Sequence, residues 1–167
     1  MNSNALLLTA LGVMFCSGCM TEQQRQLEKL GAVVEVNEQG EIVVVDLDST
    51  QITDAGLVHL EGLTSLKSLS LTSTKVTDTG LAHLKELTNL QQLDLAATGI
   101  TNTGLVHLKG LSNLLQLYLD NTQTSDADLV HLKELTSLQE LWLTGTRVTN
   151  AGVAKLKEAL PNCDIVQ

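Results

Sequence analysis

The stretch from Ile52 to Lys75, ITDAGLVHLEGLTSLKSLSLTSTK, restarts with small changes at Val76 (VTDTGLAHLKELTNLQQLDLAATG), Ile100 (ITNTGLVHLKGLSNLLQLYLDNTQ) and Thr124 (TSDADLVHLKELTSLQELWLTGTR). A shortened copy, VTNAGVAKLKEALPNCDI, begins at Val148. One string returning every 24 residues marks a solenoid, in which each unit buries its apolar face only against its neighbours. The stack therefore needs a ribbon of leucine rather than an aromatic centre, and aromatic residues make up only 2% of the chain.

Within the period, the pattern LxxLxLxxT followed by an aliphatic residue reads as a strand and its exit turn: Leu66, Leu69, Leu71, Thr74 and Val76, then Leu90, Leu93, Leu95, Thr98 and Ile100. Stepping back 24 residues from Leu66 lands on Ile42, Val45, Leu47, Thr50 and Ile52, so the array begins there in degenerate form. Before it, Val33, Val34 and Val36 and the turn-like Asn37-Glu38-Gln39-Gly40 predict the first arm of a capping hairpin.

These motifs resemble leucine-rich repeats over residues 42–167. The resemblance implies an α/β solenoid: a right-handed superhelix with a short parallel sheet on the concave face and helices on the convex face. It also places the ladder Thr50, Thr74, Thr98, Thr122 and Thr146 where the family usually has Asn or Cys, a structural position. The phrase ITDAGL further resembles the cysteine-containing repeats of eukaryotic adaptor proteins, but the recurring cysteines of that subclass are missing.

Three residues beyond each ladder Thr stands a second hydroxyl (Thr53, Thr77, Thr101, Ser125, Thr149), followed by Asp or Asn and a leucine-rich run, as expected of a helix N-cap. The helices would bury Leu57, Leu60 and Leu63, or Leu81, Leu84 and Leu87, along one stripe. Thr124 in place of an aliphatic residue and Asp128 in place of Gly are read as drift in the fourth copy, with a locally altered loop beside Tyr118 and Trp142 as the alternative. Pro161 ends the last helix, and Ile165 falls in register with Leu141, so a short strand should close the stack.

The N-terminal segment is of a different kind. Ala5–Phe15 is apolar but shorter than the roughly 20 residues a spanning helix requires, and it reads as the core of a signal peptide over residues 1–18. Cys16-Ser17-Gly18-Cys19 resembles the lipobox of bacterial lipoproteins, which implies lipidation of Cys19 and attachment to a cell-envelope membrane. Cys16 stands where that motif usually has Leu, and Met1–Asn4 carries no Lys or Arg, so ordinary secretory cleavage is the alternative. Residues 19–31 read as a tether or capping helix, and 32–167 as the repeat domain.

A formal net charge of -9, with the ten Lys and Arg scattered, excludes a nucleic-acid surface and calls for no cofactor. His59, His83, His107 and His131 share one repeat position; metal coordination would need them within about 2.0–2.1 Å of one ion, and successive coils hold them too far apart. No phosphate loop, nucleophile elbow or paired acid and base stands out, so the expectation is a non-catalytic module. Cys163 reads as a small residue of the C-terminal cap.

Strand alternation sends Asp46, Ser70, Asp94, Tyr118 and Trp142 outward along the middle of the concave face. Its flanks are Val44, Ser68, Gln92, Gln116 and Glu140 on one side, and Asp48, Thr72, Ala96, Asp120 and Thr144 on the other. Tyr118 and Trp142, the chain's one Tyr and one Trp, fall on adjacent strands. With Glu140, Asp120, Gln116 and Asp94 as a polar rim they form the candidate binding spot, for a protein or an envelope glycan. Plain cross-strand packing is the competing reading of the rings. The expected molecule is an exported, monomeric binding protein. A self-associating envelope component, or an intracellular adaptor of the ubiquitin-ligase type, are the alternatives.

Overall fold

A computed structural model describes residues 20–101 and 103–167, together with the backbone at 7–8 and 14–15. Apart from that backbone, the proposed leader peptide lies outside the described residues, as does Cys19. Helix α1 (Glu22–Lys29) is capped by Thr21, whose hydroxyl accepts from Gln24 N–H, and it buries Leu27 on the first coil. Seven strands follow: β1 (Val33–Val36), β2 (Ile42–Asp46), β3 (Ser68–Ser70), β4 (Gln92–Asp94), β5 (Gln116–Tyr118), β6 (Glu140–Trp142) and β7 (Asp164–Val166). They lie side by side in chain order in one sheet. The capping hairpin β1–β2 is antiparallel and every later pair is parallel.

Register follows the 24-residue step throughout, pairing Val45, Leu69, Leu93, Leu117, Leu141 and Ile165 in one inward row. The leucines beneath the sheet are almost all sealed from solvent and form a single continuous core. Among the described residues no helix is long and apolar enough to cross a membrane.

On the side opposite the sheet, among the described residues, α-helix forms only in the last coil, as α2 (Asn150–Lys157). The other four coils close through 3-10 segments at Asp54–Leu60, Gly80–Leu84, Leu105–Leu108 and Asp128–Leu132. The leucine spacing explains this. Leu57, Leu60 and Leu63, like their counterparts in the next three coils, recur strictly every third residue, which stays on one face at three residues per turn but drifts around an α-helix. The last coil breaks that spacing just past α2: position 159, one period after Leu135, is Ala, and the next inward residue, Leu160, follows Leu156 by four.

The expected capping hydroxyls also act differently. Only Thr149 caps a helix, accepting from Gly152 N–H at 3.2 Å. Thr77, Thr101 and Thr149 instead donate to an aspartate of the preceding coil: Asp54 at 2.6 Å, Asp78, and Asp126 at 2.7 Å. The same carboxylates accept the backbone N–H of those threonines, at 2.7 Å in each case. Thr79 and Thr103 add a further bond to Asp54 and Asp78.

Burial works to raise the Asp54 carboxyl, but these bonds and the Gly80 N–H more than offset it and hold the group below its ordinary value. Asp78 is lowered in the same way, burial opposing and Thr101, Thr103 and Gly104 prevailing. Asp126 is lowered by the Thr149 backbone and hydroxyl bonds.

Such a carboxylate leaves no room for a side chain on the next coil. A Cβ built on Gly80, Gly104 or Gly152 would lie 2.5, 2.4 or 2.1 Å from the Oδ1 of Asp54, Asp78 or Asp126. At the junction of the third and fourth coils position 102 is Asn, and position 128, where the other coils have Gly, is Asp. There the acceptor comes from within the coil: Asp128 Oδ2 accepts Ser125 N–H at 2.5 Å and Ser125 Oγ at 3.0 Å. Asp128 is thus compensated at one oxygen: Oδ2 supplies the acceptor of this junction, while Oδ1 is buried without a hydrogen-bond partner. Thr124, fully buried, is also compensated, its hydroxyl sitting 2.8 Å from that of Thr122.

The threonine ladder is structural. Each hydroxyl, from Thr50 to Thr146, donates to the carbonyl three residues earlier at 2.5–2.7 Å and so closes the turn with its own side chain paired inside it. The residue before each ladder Thr takes a positive φ: Ser49, Ser73, Ala97 and Asn121 at 53–57°, and Gly145 at 73°. Of these Ala97 is the least suited, having a Cβ and no polar group to bond locally, and it is exposed. Ala97→Gly is expected to raise stability by about 0.5–1 kcal/mol, the left-handed penalty removed exceeding the entropy that glycine adds to the unfolded chain. The urea midpoint of the two proteins measures it.

Candidate functional site

The concave face is built by strand alternation over a rigid leucine layer. Parallel pairing sets Tyr118 beside Trp142 and Asp94 beside Tyr118 in the middle row, and Gln116 beside Glu140 in the flank. The two rings stack with centroids 5.9 Å apart and planes inclined by 22°, both half-exposed on the open sheet. That geometry is an offset stack, so cross-strand packing and an accessible aromatic surface coexist in one pair.

The rim is less free than alternation alone suggests. Asp94 spends Oδ1 on the N–H of Ala96, 2.9 Å away, and Asp120 spends Oδ1 on the N–H of Thr144 in the next coil, 2.8 Å away. Asp46 and Asp48 do the same for Asp48 N–H and Thr72 N–H, at 2.9 and 3.0 Å. These aspartates therefore cap backbone donors at the strand exits, each with one oxygen. Partial burial raises the Tyr118 phenol above its usual value, and the charges of Glu140, Asp94 and Asp120 raise it further.

One residue of this surface escaped the sequence reading. Asp164 continues the Gln116–Glu140 flank, directly paired with Glu140 and exposed. The 24-residue step from Glu140 lands on it and would have found it. Val166 occupies the corresponding place beside Trp142.

The remaining polar candidates lie elsewhere. His83 Nδ1 sits 2.6 Å from Glu61 Oε1 on the 3-10 side, and among the described residues no three His, Cys, Asp or Glu side chains converge as a metal site requires. Cys163 is buried in the C-terminal cap. Burial pushes its thiol up to about 11, with Lys157 opposing and Asp164 and Glu140 adding, so it stays protonated and unreactive near neutral pH.

Comparison with known proteins agrees with this architecture. Residues 62–85 and 86–109 match the leucine-rich repeat family model. No curated protein matches the chain by sequence. Among solved structures it is similar to internalin C2 of Listeria monocytogenes, with 28% identity over 75% of this chain and 51% of that one, and a TM-score of 0.63. It is also similar to a leucine-rich repeat protein of Leptospira interrogans, with 23% identity over 66% of this chain and 27% of that one, and a TM-score of 0.55. The chain spans about half the length of the first and about a quarter of the second. With two copies matched directly and the same strand and turn recurring from Ile42 to Val166, the chain folds as a leucine-rich repeat solenoid similar to those of bacterial proteins.

Proposed function

We propose that the chain is a non-catalytic recognition module that captures a protein partner on its concave face, with Tyr118 and Trp142 as the anchor and Glu140, Asp120, Gln116 and Asp94 as the polar rim. The observation that carries the reading is the stacked pair itself, held half-exposed on a sheet whose other outward positions are small, polar or acidic, apart from Val33 and Val44 in the capping hairpin and Val166 in the last strand. Rigid aromatic side chains give a large contact area for little lost rotamer freedom, which is why they dominate binding energetics. We further propose export through the N-terminal leader, Cys19 as the lipidated first residue of the mature chain, residues 19–31 as the tether that leads into the repeat domain, and display at the cell envelope as a monomer.

The test is crosslinking from a photoreactive residue placed at Gln116, with the native rings and with Tyr118→Ala/Trp142→Ala. The double variant is expected to lose partner affinity by at least about 30-fold, the equivalent of about 2 kcal/mol. Both rings lie on the outside of the sheet, so its unfolding midpoint should move little. Undiminished capture by a folded double variant removes the site.

A further inference from the structure

We propose that the occupant of the aromatic pair is an arginine side chain presented by a basic segment of the partner protein. This rests on the concave face being the recognition surface and adds the chemistry it selects.

The charge distribution argues for it. The three outward rows carry Asp46, Asp48, Asp94, Asp120, Glu140 and Asp164, and no Lys or Arg at any position. Around the stack, Glu140 and Asp164 occupy directly paired positions of adjacent parallel strands, an arrangement in which like charges destabilise a sheet. Among the described residues the ion pairs join Arg25 to Glu22, His83 to Glu61 and Lys109 to Glu134, so none neutralises these carboxylates. Asp94 and Asp120 use one oxygen each on backbone donors, and among the described residues nothing donates to the other.

An aromatic face edged by uncompensated carboxylates offers two complementary attractions to a cation: the ring quadrupole and a charged hydrogen-bond acceptor. Guanidinium suits it better than ammonium, because a planar cation stacks on the ring while its edge donates to a carboxylate, and because it is more weakly hydrated. An acidic segment would meet like charge on every side. A neutral glycan would stack on the rings but leave the carboxylates unanswered.

Trp142 is the chain's one tryptophan, so its emission reports directly on the site. The experiment titrates the protein with short synthetic peptides alternating serine with arginine, lysine or glutamate. Saturable change is expected with the arginine peptide, weaker binding with the lysine peptide and none with the glutamate peptide. Asp94→Asn/Glu140→Gln, which keeps the acceptor for Ala96 N–H, should weaken the arginine peptide by about tenfold, and Glu86→Gln/Glu158→Gln, equal in net charge but away from the sheet, by less than about twofold.

Equal loss from the two neutralised pairs would reduce the effect to net charge and overturn the proposal, as would no saturable change with arginine or equal binding of the glutamate peptide. If the arginine peptide fails while ring-dependent crosslinking to a partner persists, only the cation is wrong. If that crosslinking is also indifferent to the rings, the recognition surface falls with it.

Discussion

Gly104→Asp made alone is expected to destabilise the protein by about 3 kcal/mol or more, and to lose most of that penalty when Asp78→Asn accompanies it. The space that a Cβ at position 104 would enter already holds Asp78 Oδ1, 2.4 Å away. A carboxylate there would meet both a steric block and a like charge in a buried setting. The fourth coil shows how the same junction is built the other way: with Asn at 102, Asp128 turns back to accept Ser125 N–H and Oγ. Thr101 stands one period before Ser125, so an aspartate at 104 has the same two donors within reach once the charge at 78 is gone.

Asp78→Asn alone should cost about 1–3 kcal/mol, because a neutral amide replaces a carboxylate that accepts from Thr101 N–H, Thr101 Oγ1 and Thr103 Oγ1. Urea unfolding of the two single variants and the double completes the cycle; additive losses would show that the two arrangements are not interchangeable. The pH dependence carries the same signature. Since the folded Asp78 carboxyl lies below the ordinary aspartate value of 3.8, its contribution is complete above about pH 4 and is lost as pH falls through the folded value, and Asp78→Asn should flatten that acid limb.

That junction is also where sequence reading went astray, for a physical reason. Thr-Asp before a leucine run is a local cap signal, and a local reading assigns the threonine to the helix that follows it. The winning partner lies 23 residues back, on the neighbouring coil, and becomes visible only when the chain is read across the stack. The same holds for Asp94 and Asp120, legible as outward residues by alternation but not as caps of Ala96 and Thr144.

The threonine ladder and the inward leucine row were legible because they depend on alternation and period alone. So was the meeting of Tyr118 with Trp142, one period apart on parallel strands; their tilt and separation depend on side-chain packing that no spacing encodes. The choice of 3-10 over α-helix was present in the strict three-residue leucine spacing, but the hydroxyl before it drew the reading toward an ordinary capped helix.

Leu117→Ala should cost about 3–5 kcal/mol, the range for a fully enclosed leucine whose neighbours cannot collapse into the void. Leu117 is completely buried, pairs with Leu93 on one side and Leu141 on the other, and lies between Gln116 and Tyr118 on the strand that carries half of the aromatic pair. In a stack whose stability is a sum of coil and junction contributions, one such cavity weakens two junctions at once. Ile165→Ala, at the end of the same row, touches one neighbouring strand and is only partly buried, so about 1–2 kcal/mol is expected there. Equal losses at the two sites in urea unfolding would contradict nearest-neighbour stability. Trp142 emission adds a spatial reading: if a weakened junction beneath Tyr118 lets the C-terminal coils open first, the indole should report unfolding of Leu117→Ala at lower urea than the far-ultraviolet signal of the whole array does. The concave surface would then depend on the leucine row for position as well as for stability, since opening at β5 separates the two rings before the rest of the solenoid unfolds.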